Sequence, residues 1–275
     1  MQEQRWCAPG PFAVVGKSFR IGERLGHVSK DSVTVPVIQT AIRLVYPPRC
    51  TVCGVLVESD FGICGPCWRD TPFISGMCCD ACGVPLPGDV ADGPAICDDC
   101  MRNARPWLQG RAAVLYKDNG RKLVLALKYG DRQDLLRPAG KWLARAAQPL
   151  LTADTLIAPV PLHWLRMLRR RYNQAALLSA ALARETGHAH CPDLLQRSRR
   201  TRQLIGMSRD ERYRTLESAI RIHPRRRHRI VGRKVLLVDD VLTTGATLSA
   251  ATEICYAAGA SEVRILALAR TFRDG

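Results

Sequence analysis

Residues 235–247 read Val235-Leu236-Leu237-Val238-Asp239-Asp240-Val241-Leu242-Thr243-Thr244-Gly245-Ala246-Thr247, and their order decides the fold. Four consecutive apolar residues predict a strand buried on both faces. Asp239 and Asp240 follow where that strand ends, which is the edge at which open α/β sheets bind ligands. Residues 242–247 then turn into a helix. Gly245 permits close backbone approach, and the hydroxyls of Thr243, Thr244 and Thr247 can donate. Free amides at a helix N-terminus, helped by the helix dipole, hold a phosphate. Paired carboxylates do the opposite work and accept from hydroxyl groups. Together they suit a sugar phosphate. Two narrower readings each cover part of the segment: a carboxylate pair that ligates Mg²⁺ directly, and a Thr-rich loop that is an ordinary helix cap.

Outward from this segment the pattern is α/β. Residues 112–116, 155–161, 234–238 and 262–269 read as strands. Residues 121–129, 135–150, 173–186 and 246–258 read as helices, the last two closed by Gly187 and Gly259. Fully apolar strands alternating with helices predict a parallel sheet covered by helices on both faces. The strand over 155–161 runs into Pro161-Leu162-His163, then Trp164 and a cluster of Arg166, Arg169, Arg170 and Arg171. As a set after a buried strand, these suit a diphosphate, which needs amides and guanidinium forks. A strongly basic stretch runs from residue 194 to 234.

The cysteines are concentrated elsewhere. Nine of the 12 lie between Cys50 and Cys100, eight of them in the pairs Cys50/Cys53, Cys64/Cys67, Cys79/Cys82 and Cys97/Cys100. Two pairs read CxxCG, the knuckle turn in which glycine lets amides point at the sulfurs. Eight thiolates make two closed tetrahedral Zn²⁺ sites, structural rather than catalytic. Sequential pairing of the CxxC units is the simpler arrangement; an interleaved one and a substitution of Cys78 for Cys79 stay open. Phe61, Trp68 and Phe73 could stack on single-stranded bases or pack the small core.

The 275 residues are 47% apolar, enough for one core with a small satellite module. The formal charge of +16 points to an anionic partner. The first residues are interrupted by Pro, Gly and charges, so neither a secretion signal nor a membrane span is expected, and a cytoplasmic location with reduced thiols follows.

Three strings occur in order: IAPVPLHWLRMLRRRYNQAALLS, LLQRSRRTRQLIGMSRDERYRTLESA and VLLVDDVLTTGATLSAATEICYAAGASEVRILALAR. With the cysteine module ahead of them they resemble the ComF family, over about residues 45–270. The resemblance implies a type I phosphoribosyltransferase-like sheet that binds 5-phosphoribosyl-1-pyrophosphate (PRPP) with Mg²⁺. Asp239 and Asp240 would hold the ribose hydroxyls. The loop Leu242, Thr243, Thr244, Gly245, Ala246, Thr247, with Val241 before it, would hold the 5′-phosphate. Pro161, Leu162, His163, Arg171 and Gln203 would line the diphosphate side. Residues 196–214 look like the flexible catalytic loop of glutamine PRPP amidotransferase, which makes Arg197 a catalytic candidate. Lys128, a position the family shares, either reaches the pyrophosphate or faces solvent. Arg171 stands where the family usually has glycine. The family is tied to DNA uptake in natural transformation, so single-stranded DNA and DNA-processing proteins join PRPP as candidate partners.

The expected organisation is a poorly ordered tail over 1–38, a double zinc ribbon over 39–105 and a phosphoribosyltransferase domain over 106–275. Two functions compete: transfer of the phosphoribosyl group to an unidentified acceptor, or a nucleic-acid-binding factor without turnover. Cys7 is not at the N-terminus, so ammonia drawn from glutamine is not expected as the acceptor.

Overall fold

In the computed structural model, residues 46–60, 62–88, 93–130, 132–162, 172–197 and 220–272 are described. The expected tail lies outside them.

Five parallel strands form the central sheet, in the order β1-β7-β6-β2-β3. They are β1 (Gln109–Leu115), β2 (Leu156–Pro159), β3 (Ala189–His190), β6 (Lys234–Leu242) and β7 (Glu262–Arg270). A separate antiparallel pair joins β4 (Leu195–Arg197) to β5 (Ile220–Ile222). The main helices are α3 (Asp118–Tyr129), α4 (Leu136–Ala147), α5 (Gln174–Thr186) and α6 (Ala246–Ala257); two five-residue helices, α1 (Gly65–Arg69) and α2 (Asp98–Arg102), lie in the cysteine module.

Alternation along the buried strands divides the core between two faces. On β6, Val235 and Leu237 face one core, and Leu236 and Val238 the other. The second face is filled by α3, α4 and α5 through Val124, Leu127, Leu143, Leu178 and Leu182. There Gly140 of α4 comes so close to α5 that an added Cβ would stand 3.1 Å from the Cβ of Ala181. The first face is filled by α6 and by the cysteine module itself. Cys79, Cys82, Cys100 and Trp107 pack in the same cluster as Leu237, Ile265 and Leu248. One layer of an α/β sandwich is thus partly a metal-binding module.

The structure corrects several boundaries. The central strand continues through Asp239 and Asp240 to Leu242, because β7 stays paired with it as far as Arg270. The helix expected over 135–150 is α4 flanked by two 3₁₀ turns, Gln133–Leu135 and Gln148–Leu150. Pro149 stands within the second. Part of the basic stretch is ordered as β4, β5 and a 3₁₀ turn, Pro224–Arg229.

Candidate functional site

The carboxylate pair lies at the carboxyl end of the sheet. β2 and β6 stay in register to Pro159 and Val238, and the Val160 amide donates to the Val238 carbonyl at 2.9 Å. Pro161 and Leu162 therefore leave β2 beside Asp239, with Pro161 buried. The Asp240 amide donates to Asp239 Oδ1 at 2.8 Å. Burial first, and the Asp240 carboxylate second, push the Asp239 pKa up to about 7, against the pull of that amide and of Lys128. Lys128, near the end of α3, pairs with Asp240 Oδ1 at 3.1 Å, both side chains largely enclosed. It faces the site and not the solvent.

The loop that follows is braced from behind. Gly245 has φ +83°, a conformation that only glycine takes at little cost, and caps α6. A Cβ on it would stand 2.8 Å from the Trp107 ring. Arg270 Nη1 donates to the carbonyls of Leu242 (3.1 Å) and Thr243 (2.7 Å). Arg105 Nη1 donates to the Thr244 carbonyl at 2.8 Å. Two guanidinium groups thus take the loop's carbonyls. Thr243 and Thr244 are exposed and Thr247 half-buried, so hydroxyls and amides remain for a ligand on the open side. The first amides of α6 lack intrahelical acceptors by construction. Such an arrangement offers donors to an anion and, a few residues earlier, acceptors to hydroxyl groups.

The cysteines form two clusters, Cys50/Cys53/Cys64/Cys67 and Cys79/Cys82/Cys97/Cys100, with the sulfurs of each within 4.8 Å of one another. The pairing is sequential. Cys79 is the ligand, and Cys78 instead forms a β-bridge with Pro85. Zn–S bonds of about 2.3 Å in a tetrahedron put sulfurs about 3.8 Å apart. Cys53 and Cys64 sulfurs are 3.6 Å apart, and those of Cys82 and Cys97 3.8 Å. The Cys64 amide points at Cys50 Sγ and the Cys97 amide at Cys79 Sγ, each at 3.3 Å. Hydrogen bonding from the Cys82 thiol, then from backbone amides, holds Cys79 at about 4 in spite of its burial. At Cys50, burial acts upward but backbone amides prevail and bring it to about 6. In each cluster one thiol is held down while its partners are pushed up, Cys64 and Cys67 in the first and Cys82 and Cys100 in the second, so each cluster presents one ready thiolate in a four-sulfur set whose geometry fits zinc.

A double zinc ribbon domain matches residues 41–108, and a phosphoribosyl transferase domain matches residues 173–273. The chain is 30% identical over 236 residues to the DNA utilization protein YhgH of Salmonella typhi, covering 83% of this chain and 99% of that one. The chain belongs to the ComF family. A second ComF relative, competence protein F of Haemophilus influenzae, is 28% identical over 228 residues, covering 81% and 96% of the two chains. Among solved structures, the glutamine PRPP amidotransferase of B. subtilis superposes with a TM-score of 0.37 at 19% identity, over 53% of this chain and 30% of its own.

In this ComF chain the structure brings Asp239, Asp240, Lys128, Pro161 and the loop 242–247 to one sheet edge. Arg197 ends β4, in the separate antiparallel pair. His163, Arg166, Arg169, Arg170, Arg171, Gln203 and Phe61 fall outside the described residues. Phe73 packs between Trp68 and Trp142, at centroid distances of 4.4 and 5.3 Å, so it is a packing residue; Trp68 is half exposed. Nothing in the sequence marks Arg105 or Arg270 as a support of the loop. Arg105 falls at the expected domain boundary, where its composition marks a linker and nothing marks a contact.

Proposed function

We propose that this protein binds PRPP with Mg²⁺ at the carboxyl end of β6. The 5′-phosphate sits on the amides and hydroxyls of residues 242–247, and the ribose hydroxyls sit on Asp239 and Asp240. One observation carries this reading: an enclosed carboxylate pair is followed within a few residues by a donor loop whose carbonyls are already taken by Arg105 and Arg270. Lys128 sets the charge of the carboxylate pair and stands ready for the pyrophosphate. The diphosphate side is assigned to Pro161 and Leu162, which leave β2 beside Asp239, and on sequence grounds to His163, Arg171 and Gln203, with Arg197 as a catalytic candidate. With an acceptor bound, the reaction is displacement of pyrophosphate from the anomeric carbon. The protein acts in the cytoplasm, in the service of DNA uptake or use, as the names of its relatives suggest.

The test is calorimetric titration of the zinc-loaded protein with PRPP, with and without Mg²⁺, beside the Asp239→Asn/Asp240→Asn double variant. Binding by the wild type that is lost in the variant supports the site. No binding by the wild type ends this reading.

A second reading has its own observation. In the turn after β5, Arg226 is held by Asp193 at 3.0 Å and Arg229 reaches the His190 carbonyl, whereas Arg225 and Arg227 of that turn and Arg221 of β5 are exposed. These three cations suit the phosphates of a nucleic-acid strand. Binding of a single-stranded oligonucleotide should then fall steeply with salt, weaken in Arg225→Glu/Arg227→Glu, and persist in the Asp239/Asp240 variant.

A further inference from the structure

The second cysteine cluster and the phosphate loop share one side chain. Arg105 has three nitrogen atoms, and each has a different partner. Nε points at Cys100 Sγ at 3.5 Å, Nη2 forms a short ion pair with Asp99, and Nη1 donates to the Thr244 carbonyl at 2.8 Å. The side chain is only 5% exposed, and its guanidinium lies 5.8 Å from the centre of the Trp107 ring. That ring is the surface against which Gly245 closes, with no room for a Cβ. Trp107 is itself tied to the cluster, because its Nε1 donates to the carbonyl of Ala81, between Cys79 and Cys82. Four thiolates around a divalent ion would carry a net charge of −2, which the Arg105 guanidinium beside Cys100 would partly offset.

We infer that Arg105 is a positioning residue that couples zinc occupancy of the Cys79/Cys82/Cys97/Cys100 cluster to the order of the phosphate loop at residues 243–247. A buried guanidinium requires all its partners. Without the ion, Cys100 and, through it, the short helix that carries Asp99 would no longer be held in place, the fork would lose its anchor, and the Thr244 carbonyl would lose its donor. By linkage, an anion that orders the loop holds the second zinc more firmly, by the same factor. The first cluster has no such bridge to the loop among the described residues: its module reaches the domain through the Cys67 carbonyl, bonded by Asn119, and the Thr51 carbonyl, bonded by Arg132. The ligand half of this inference rests on the PRPP reading; the loop half does not.

Two measurements on the full-length zinc-loaded chain test it. In amide hydrogen exchange without ligand, Arg105→Ala should speed exchange at 243–247 by about tenfold, with two zinc ions still bound. Arg105→Lys, which keeps the charge but not the fork, should fall between. In N-ethylmaleimide labelling read peptide by peptide, PRPP with Mg²⁺ should slow modification of Cys79, Cys82, Cys97 and Cys100 in the wild type. It should leave Cys50, Cys53, Cys64 and Cys67 unchanged, and the selective protection should vanish in Arg105→Ala. Unchanged loop exchange in both variants overturns the inference, as does equal protection of the two clusters. If PRPP fails to bind the wild type by calorimetry, the proposed ligand is wrong, and loop exchange in the wild type before and after zinc is chelated decides the coupling: faster exchange at 243–247 without zinc, lost in Arg105→Ala, supports it, and unchanged exchange overturns it. If Arg105→Ala loses a zinc, Arg105→Lys with both ions bound carries the comparison.

Discussion

The two CxxCG knuckles share a spacing and a turn, but their glycines have different neighbours. Gly54 has φ +78° and nothing within 4 Å of where a Cβ would stand. Gly83 has φ +70°, and a Cβ there would lie 2.8 Å from the Ala112 amide nitrogen and the Arg111 Cα on β1. The glycine of the first knuckle therefore faces open space, although Arg132 ties that knuckle to the domain through the Thr51 carbonyl, whereas the second knuckle is part of the domain core. The second cysteine of each knuckle differs likewise: Cys53 is exposed and Cys82 is 1% exposed, whereas the first cysteines, Cys50 and Cys79, are both buried. Arg111 and Asp80 add a 2.6 Å ion pair between β1 and the second knuckle. Spacing alone makes a metal site; its neighbours decide whether that site is a satellite or a wall of the fold.

The comparison can be broken most forcefully at the ligands. Cys82→Ser should cost about 5 kcal/mol and unfold the sheet together with the second ribbon. Cys53→Ser should release one zinc ion and leave a cooperative unfolding transition for the rest. Thermal unfolding with zinc quantification separates the two; equal losses of stability would erase the distinction. The glycines give a gentler version. Gly83→Ala should destabilise by about 3 kcal/mol, from backbone strain plus collision with β1, and Gly54→Ala by about 1 kcal/mol from strain alone. Urea denaturation reads both.

A change at Asp239 touches neither ribbon and serves as the control for both. Asp239 has a folded pKa near 7, above its ordinary value of 3.8. A carboxyl whose pKa is raised by folding favours the folded state when protonated, so its penalty is absent below about pH 4, grows as pH rises, and is complete above about pH 7. Asp239→Asn should then stabilise the protein at about pH 8 by on the order of 2 kcal/mol, with the gap narrowing as pH falls through 7. Both zinc ions should stay in place. A stability difference that is flat with pH would assign the effect to packing instead of charge.

The parts legible from the chain alone are those whose signals are local. Four apolar residues, two acids and a Thr/Gly turn specify a buried strand, a carboxylate edge and a helix start, because period and backbone conformation are set within a few residues. Thiol spacing likewise specified two four-thiolate sites. Only the tertiary structure decided which CxxC pairs share a site, that Lys128 turns toward Asp240, and that β6 runs on beside Arg270. It also decided that β3, two residues long, completes the sheet, since two residues carry no period. Arg105 shows the reason most plainly. It meets Thr244 across 139 positions of the chain, and a contact of that separation is set by how the ribbon packs on the sheet face and not by the residues beside it.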